Sequence, residues 1–326
     1  MIRTAHLVLA STLAIILIGP PLGHASPMEP QLLDGESYYE SLTVVADLND
    51  DTYIFVQFGY SNLGSGDGHG ACRAQIMEKN KEPWMKIAKY DRDEWHYASQ
   101  PVPQVSLGAC RIWQGRNLEL HVPIEGSVIR LTVEGKIREV APPGSEIKTD
   151  DGFYHYQVLI PMAKVRAEWS VDGAPGKSAE GFGYVDKLRS TAMPADVADL
   201  WVRFRVFQPD GILVVGRIPP KQGKPDLWYW RPGTDAAPTR GVSFSLGGTE
   251  PGAAKHKLML DLGAGGVIEL DSGQEIFRYA PVEKYGWIGI FAKAVVGSPV
   301  TRTFRPEVHT PKERYPKSLL EISYVD

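Results

Sequence analysis

One stretch decides the class of fold: Phe55-Val56-Gln57-Phe58-Gly59-Tyr60-Ser61-Asn62-Leu63-Gly64. Its first six residues are mostly β-branched or aromatic, which is typical of a strand, and Ser-Asn-Leu-Gly is typical of the turn that follows one. Similar short runs recur along the chain, separated by turn pairs such as Asp172-Gly173, Asp210-Gly211 and Ser272-Gly273. No stretch of adequate length has apolar residues at the spacing of an amphipathic helix. The sequence therefore predicts an all-β protein.

The length of the chain predicts two domains. A closed antiparallel barrel that holds one small ligand needs about eight strands, and the 326 residues contain roughly twice that number of strand-like runs. The stretch Asp172–Lys177 contains Gly and Pro and is the predicted seam, which places one barrel at residues 26–175 and the other at residues 176–326. A propeller or a solenoid is the alternative, but the sequence shows no repeat at a fixed period.

Residues 1–25 have the features of a secretory signal peptide. Arg3 provides the positive start, residues 5–18 are apolar, and Gly23-His24-Ala25 ends in the small residues that precede a cleavage site. A membrane anchor is the alternative, but the apolar run is shorter than the ~20 residues that a span requires. The sequence therefore predicts a protein that is exported to the periplasm or secreted.

The charge of the protein limits its partners. Cleavage after Ala25 removes Arg3 and no acidic residue, so the formal charge changes from −4 to −5. A mildly acidic protein lacks the basic surface that binds nucleic acid or anionic membranes. We expect a hydrophobic small molecule as partner, no nucleic acid and only transient contact with a membrane. No spacing of histidines or acidic residues predicts a metal site, and no cofactor is expected.

Cys72 and Cys110 are the two cysteines of the chain. Export would place them in an oxidising compartment, which favours a disulfide. The alternative is a reactive or metal-binding pair of thiols, but there is no CxxC motif and no adjacent histidine cluster. The sequence predicts a structural disulfide, which loop-closure entropy makes worth roughly 4 kcal/mol.

Two segments resemble a lipocalin-like family that joins fungal survival-factor proteins to bacterial carotenoid-hydratase (hydroxyneurosporene synthase)-type proteins. The first segment is Val56-Gln57-Phe58-x-Tyr60-Ser61-Asn62, with Tyr38-Tyr39 upstream. The second is Gly181-x-Gly183-Tyr184-x-Asp186, with Trp201 to Gln208 after it. The resemblance implies two lipocalin-like antiparallel β-barrels in tandem that bind a lipid or an isoprenoid.

The hydratase branch of that family implies two catalytic residues. Its second motif contains an Asp to which the protonation of an isoprenoid double bond is assigned. Tyr184 and Asp186 match this motif, so they are the implied catalytic residues if the protein is an enzyme. The other motif residues, two His, one Trp and a Gly, are replaced here by Val185, Lys187, Arg189 and Ser190.

The strand that follows this motif contains candidate ligand-binding residues. Side chains alternate along a strand, so one face is shared by Trp201, Arg203, Arg205 and Phe207. This face either contacts solvent or lines a polar pocket, and its two aromatic residues favour the pocket. The resemblance adds Gln57 and Tyr39 to the ligand-binding candidates.

Three functions are compatible with these patterns. The preferred hypothesis is a carrier that holds a hydrophobic molecule inside a barrel. An acid that protonates an alkene must be neutral, and Lys187 and Arg189 would favour the ionised form of Asp186 if their charged groups came close to it. The second hypothesis is a cofactor-free hydratase, isomerase or cyclase for an isoprenoid, with Asp186 as the acid and with Tyr184 and Trp201 stabilising a cation. The third is a structural protein with filled barrels.

Overall fold

The computed structural model describes residues 26–62, 67–221, 223–232, 237–248, 253–280, 299–309, 315 and 317–325. The predicted signal peptide, residues 1–25, lies outside these ranges. The described chain is almost entirely β and forms two antiparallel sheets that follow one another in sequence. Each sheet is curled into a barrel, so the predicted all-β fold with two antiparallel barrels in tandem is confirmed.

The first sheet contains twelve described strands: β1 (Tyr39–Leu48), β2 (Tyr53–Ser61), β3 (His69–Met77), β4 (Trp84–Tyr90), β5 (Trp95–Ala98), β6 (Gln104–Leu107), β7 (Cys110–Gln114), β8 (Leu118–Ile124), β9 (Ser127–Val133), β10 (Glu146–Thr149), β11 (Gly152–Ser170) and β12 (Lys177–Ser190). Their order across the sheet is β4-β3-β2-β1-β12-β11-β9-β8-β7-β6-β5, and β10 pairs with β11. The register of β11 against β12 shifts between Val158 and Ala163, which bends the strand at the middle of the sheet.

The second sheet contains nine described strands: β13 (Leu200–Val206), β14 (Leu213–Ile218), β15 (Asp226–Trp230), β16 (Thr239–Arg240), β17 (Ser243–Gly247), β18 (Lys257–Asp261), β19 (Val267–Tyr279), β20 (Val300–Val308) and β21 (Ser318–Tyr324). Their order is β16-β15-β14-β13-β21-β20-β19-β18-β17. The helical elements are short: α1 (Pro194–Val197) and two 3₁₀ helices, Arg92–Glu94 and Gly263–Gly265. In the part of the chain that the structure describes, no helix has the length and apolar character to cross a membrane.

The change from the first sheet to the second comes later than the predicted seam. Asp172 and Gly173 have φ values of 49° and 74°, which is the left-handed backbone of a tight hairpin turn. This turn joins β11 to β12 within the first sheet. The first sheet therefore continues to Ser190 and the second begins at Leu200, beyond the predicted boundary at 175/176. An Asp-Gly pair occurs in hairpin turns as well as in linkers between domains. The composition of this stretch therefore could not distinguish a hairpin turn from a domain boundary.

Apolar side chains fill the space inside each barrel. In β1, Leu42 and Val44 point into the first core, together with buried residues from the other strands of that sheet. In β13, Val202 and Phe204 belong to the second core. Alternate residues of the same central strands, such as Val45 of β1, belong to a third cluster between the two sheets. The central strands are thus buried on both faces, and the cores occupy the interiors in which the carrier hypothesis placed a ligand.

The two sheets are joined by charged contacts at the end of β1. Asp47 has a fully buried side chain and accepts hydrogen bonds from Arg305 at 2.5 and 2.8 Å. Lys317 donates to Leu48 O at 3.1 Å and to Asp51 Oδ1 at 2.8 Å. Arg305 lies in β20 and Lys317 directly precedes β21, so these contacts fix the second sheet against the first.

Gly181 in β12 allows the backbones of neighbouring strands to approach closely. A Cβ atom at this position would lie 2.2 Å from Asp47 O and 2.6 Å from Leu48 Cα, distances that only movement of the backbone could relieve. Gly176, in the hairpin before β12, has no atom within 4 Å of the corresponding position. Of these two glycines, only Gly181 is required by its surroundings.

Cys72 and Cys110 lie in the core of the first barrel as completely buried free thiols. Burial raises the pKa of Cys72, and a hydrogen bond from Cys72 lowers the pKa of Cys110. The two thiols are thus in contact. The structure contains them in reduced form, and the disulfide stays a prediction.

Candidate functional site

Strand register places a row of polar side chains across the middle of the first sheet. Arg73 of β3 pairs with Gln57 of β2, Gln57 pairs with Thr43 of β1, and Thr43 pairs with Asp186 of β12. Directly paired residues point to the same face of a sheet, and this face packs against the second sheet. Gln57 Nε2 donates to Thr43 Oγ1 at 3.3 Å, so neighbouring members of the row contact one another.

The second sheet presents a shorter polar row to the first. Arg203 of β13 pairs with Glu321 of β21, and Glu321 pairs with Thr303 of β20. The two rows enclose a cavity of about 150 Å³ between the sheets, which we call the inner chamber. Sixteen of the described residues line it: Ser41, Thr43, Tyr53, Phe55, Gln57, Arg73, Gln75, Tyr156, Asp186, Leu188, Arg203, Arg205, Phe277, Thr301, Thr303 and Glu321.

Asp186 is the buried acid of the inner chamber. It is 6% exposed and accepts a hydrogen bond at 3.3 Å from the Tyr156 hydroxyl, which also contacts the Tyr184 hydroxyl. Burial raises the pKa of Asp186 above its usual value, and the positive charges of Arg205 and Arg203 oppose this rise only in part. The environment therefore favours the protonated form of a carboxyl group that faces a cavity.

The charged groups of Lys187 and Arg189 do not come close to Asp186, so the condition under which they would ionise it is not met. Lys187 points to the opposite face of β12, where its Nζ lies 2.7 Å from Glu40 Oε1 and donates to Pro27 O at 2.9 Å. Arg189 contacts His155 Nδ1 at 3.3 Å. Neighbours in sequence along a strand alternate between faces, so closeness in sequence did not bring these cations to the acid.

Glu321 holds the two arginines of β13. Its carboxylate accepts from Arg203 NH1 at 2.5 Å and from Arg205 NH1 at 3.4 Å. Burial alone would raise the pKa of Glu321, but the two guanidinium groups outweigh it and hold the pKa below its usual value. Arg205 is 4% exposed. Among the described residues, neither Arg203 Nε nor Arg205 Nε has a hydrogen-bond partner.

Arg73 lies where the inner chamber meets a larger opening. Its guanidinium is 3.5 Å from the ring centre of Tyr279 and 4.8 Å from that of Phe55. The Gln75 amide, oriented so that its oxygen faces Arg73, accepts from Arg73 Nε at 2.6 Å. The opening, which we call the outer cleft, has a volume of about 650 Å³ and shares Gln57, Arg73 and Thr301 with the inner chamber. Its aromatic residues are Tyr39, Tyr60, Tyr90 and Tyr279.

The structure brings most of the sequence-predicted site residues together. Asp186, Arg203, Arg205 and Gln57 line the inner chamber, and Tyr39 lines the outer cleft. The other three candidates, Trp201, Tyr184 and Phe207, line neither the inner chamber nor the outer cleft. Trp201 stacks on Tyr154 with ring centres 5.2 Å apart, Tyr184 contacts Tyr156, and Phe207 is buried in the apolar cluster between the sheets.

Three residues of the site were not recognised in the sequence: Tyr156, Glu321 and Arg73. Two of them lie between residues of a barrel core: Cys72 and Ala74 flank Arg73, and Leu320 and Ile322 flank Glu321. A polar residue between two core residues could equally face solvent, so this signal alone does not identify a site. In the part of the chain that the structure describes, no group of three or more His, Cys, Asp or Glu side chains is placed to hold a metal ion.

Comparison with known proteins shows the fold. No family model and no curated protein sequence matches the chain. Similar solved structures include an AttH-type protein from Nitrosomonas europaea, with a TM-score of 0.60 and 9% identity over 89% of this chain and 93% of that chain. CghA with Sch210972 has a TM-score of 0.59 and 10% identity over 89% of each chain. Kievitone hydratase from Nectria haematococca has a TM-score of 0.53 and 15% identity over 91% of each chain. At these identities the chain shares with them the lipocalin-like double-barrel fold, and the likeness extends to the fold alone.

Proposed function

We propose that the protein is a cofactor-free enzyme of the hydratase, isomerase or cyclase type that acts on an apolar small molecule, with Asp186 as its general acid. One observation carries this proposal. Asp186 is buried beside a cavity and contacts a tyrosine hydroxyl, whereas the nearby cations Arg203 and Arg205 are held by Glu321 instead. A carboxyl group in this setting retains its proton closer to neutral pH than an ordinary Asp, which is the property that a general acid needs.

The reaction balances without any further reagent when it is written as a hydration. The Asp186 carboxyl gives its proton to one carbon of a C=C bond, and the π electron pair forms the new C–H bond. A water molecule then forms a C–O bond to the neighbouring, electron-poor carbon. The extra proton of that oxygen returns to the Asp186 carboxylate, so alkene and water become an alcohol and the acid is regenerated. The reverse sequence is a dehydration, and loss of a different C–H proton gives an isomerisation.

The tyrosines and the cleft support this chemistry. Tyr156 donates to the Asp186 carboxyl, and Tyr184 contacts the Tyr156 hydroxyl in turn. The outer cleft is within the ~300–1,000 Å³ range of small-molecule sites, and its four tyrosines provide rings against which an apolar body can lie. One of the proteins with a similar fold is a hydratase, which is compatible with the proposed class of reaction. We also propose export to the periplasm or secretion, on the basis of residues 1–25.

A test of the proposal compares wild-type protein with Asp186→Asn. Each protein is incubated in H₂¹⁸O with an apolar extract of the cells that produce it, and compounds are compared by mass spectrometry. We expect at least one compound to be altered by wild-type protein and not by Asp186→Asn, with the gain of one labelled water if the reaction is a hydration. Glu180→Gln is the matched control, because Glu180 is an exposed carboxylate (68% exposed side chain) away from the inner chamber.

A carrier is the second candidate function, and the volume of the outer cleft favours it. In that case wild-type protein and Asp186→Asn would extract the same compound and release it unchanged. That result, with no compound altered by the wild-type protein, would contradict the enzyme proposal.

A further inference from the structure

The inner chamber carries more positive than negative groups. Three guanidinium groups line it, from Arg73, Arg203 and Arg205, against the two carboxyl groups of Asp186 and Glu321. Glu321 contacts Arg203 and Arg205 together. Arg73 forms no ion pair with a carboxylate of the described residues and is held by the Gln75 amide and by two aromatic rings. The chamber therefore has a positive charge that no acidic side chain of the described residues balances.

The arginines of the chamber are shielded from bulk solvent. Arg205 is only 4% exposed, and Arg203 Nε and Arg205 Nε are buried without an acceptor among the residues that the structure describes. Buried charged groups in folded proteins are nearly always paired or hydrogen-bonded. A hydrocarbon in the chamber would exclude water and leave the unbalanced guanidinium charge without a counter-charge. An oxygen atom with negative charge would supply that counter-charge and accept hydrogen bonds from guanidinium N–H groups.

The size and the walls of the chamber limit the shape of such a group. A cavity of about 150 Å³ has the size that holds one benzene-sized ring. Phe55, Tyr53, Tyr156 and Phe277 line it with flat surfaces. The outer cleft continues from the chamber at Gln57, Arg73 and Thr301. A ligand that fills both spaces has a small, flat, polar end and a longer body that lies against the tyrosine rings of the cleft.

We propose that the substrate is an apolar molecule that ends in a planar, conjugated oxyanion, such as a carboxylate or the anion of an acidic enol or phenol. The oxyanion binds Arg73, Arg203 and Arg205 in the inner chamber, and the apolar body lies in the outer cleft. This inference names the substrate class of the site described under the proposed function, and it rests on that function. It excludes a plain hydrocarbon as the preferred ligand.

Matched probes of the same shape test the inference. Retinoic acid and retinol share one polyene body and differ in the charge of the head group, and a long-chain 2-acyl-1,3-cyclohexanedione provides an acidic enol. Their dissociation constants are measured by quenching of tryptophan fluorescence and by calorimetry. We expect one or both acidic probes to bind at least about tenfold more tightly than retinol, because a hydrogen bond between two charged groups is stronger than one to a neutral hydroxyl. Whichever acidic probe binds shows whether the oxyanion of the substrate is a carboxylate or an enolate.

Three variants connect this preference to the chamber. Arg203→Lys keeps a positive charge near Glu321 but removes the guanidinium group, and Arg73→Met removes the unbalanced charge. Both should reduce the preference for the acidic probes. Arg166→Met is the control, because Arg166 has a 69% exposed side chain in a surface pair. Equal binding of the acidic probes and retinol, no binding of either acid, or a preference that Arg73→Met leaves unchanged would overturn the inference.

Asp186→Asn separates this inference from the proposed function. The substitution removes the proposed general acid and keeps all three arginines, so the preference for acidic probes should persist while turnover is lost. Turnover that persists in Asp186→Asn would contradict the proposed function alone. If wild-type protein shows no preference for the acidic probes over retinol, that result contradicts the substrate class alone.

Discussion

Glu321→Gln should destabilise the protein more than any substitution of a surface carboxylate. Glu321 has an 11% exposed side chain and is the acceptor for Arg203 at 2.5 Å and for Arg205 at 3.4 Å. The glutamine keeps the size of the side chain but leaves two buried guanidinium groups without a negative partner. Breaking a buried ion pair by removing one member costs about 3–5 kcal/mol. At about 2–4 °C per kcal/mol for a chain of this size class, Tm should fall by roughly 6–20 °C.

Urea unfolding and differential scanning calorimetry measure this loss, with an unchanged urea dependence showing that the same structure unfolds. Glu180→Gln provides the matched control, because Glu180 pairs with Arg166 at 3.3 Å while both side chains are about 70% exposed. Exposed pairs contribute at most about 1 kcal/mol. If Glu321→Gln costs no more than Glu180→Gln, then Glu321 does not neutralise the arginines of the chamber, and the assignment of charges on which the site rests is refuted.

Three further predictions concern the fold and the acid. Gly181→Ala should cost about 1–3 kcal/mol in the free energy of unfolding because its Cβ would overlap backbone atoms, whereas Gly176→Ala should leave it within ~0.5 kcal/mol; equal effects would disprove the close approach. Alkylation of unfolded exported protein should label neither Cys72 nor Cys110 before reduction and both after it, and labelling before reduction would exclude the disulfide. The folded protein binds the proton of Asp186 more tightly than the unfolded chain does, so its stability relative to Asp186→Asn should fall as the pH rises above about 3.9; a relative rise in urea midpoint over the same range would show that the pKa is lowered instead.

The sequence was sufficient to predict the fold and one side of the site. Period-2 runs and turn pairs identified the strands, and alternation along β13 placed Arg203 and Arg205 on one face. That face is the one that lines the inner chamber. Local patterns sufficed here because strand direction and side-chain alternation are local properties of the backbone.

The rest of the site depends on contacts between distant segments. Glu321 lies 118 residues after Arg203, and only the pairing of β13 with β21 brings the two together. Alternation along β12 also places Lys187 on the face opposite Asp186. Its side chain contacts Glu40 there and does not favour ionisation of Asp186. The location of the cavity between the barrels, and not inside one, follows from how well each core is filled. No local pattern in the sequence reports that packing.

A crystal structure of the protein with retinoic acid tests the central claim most directly, because it locates the ligand. We predict that the carboxylate lies in the inner chamber within hydrogen-bond distance of Arg203 or Arg205, beside Asp186, and that the polyene lies in the outer cleft along Tyr39 and Tyr279. A polyene inside either barrel, or a carboxylate bound away from the chamber between the two sheets, would contradict the account.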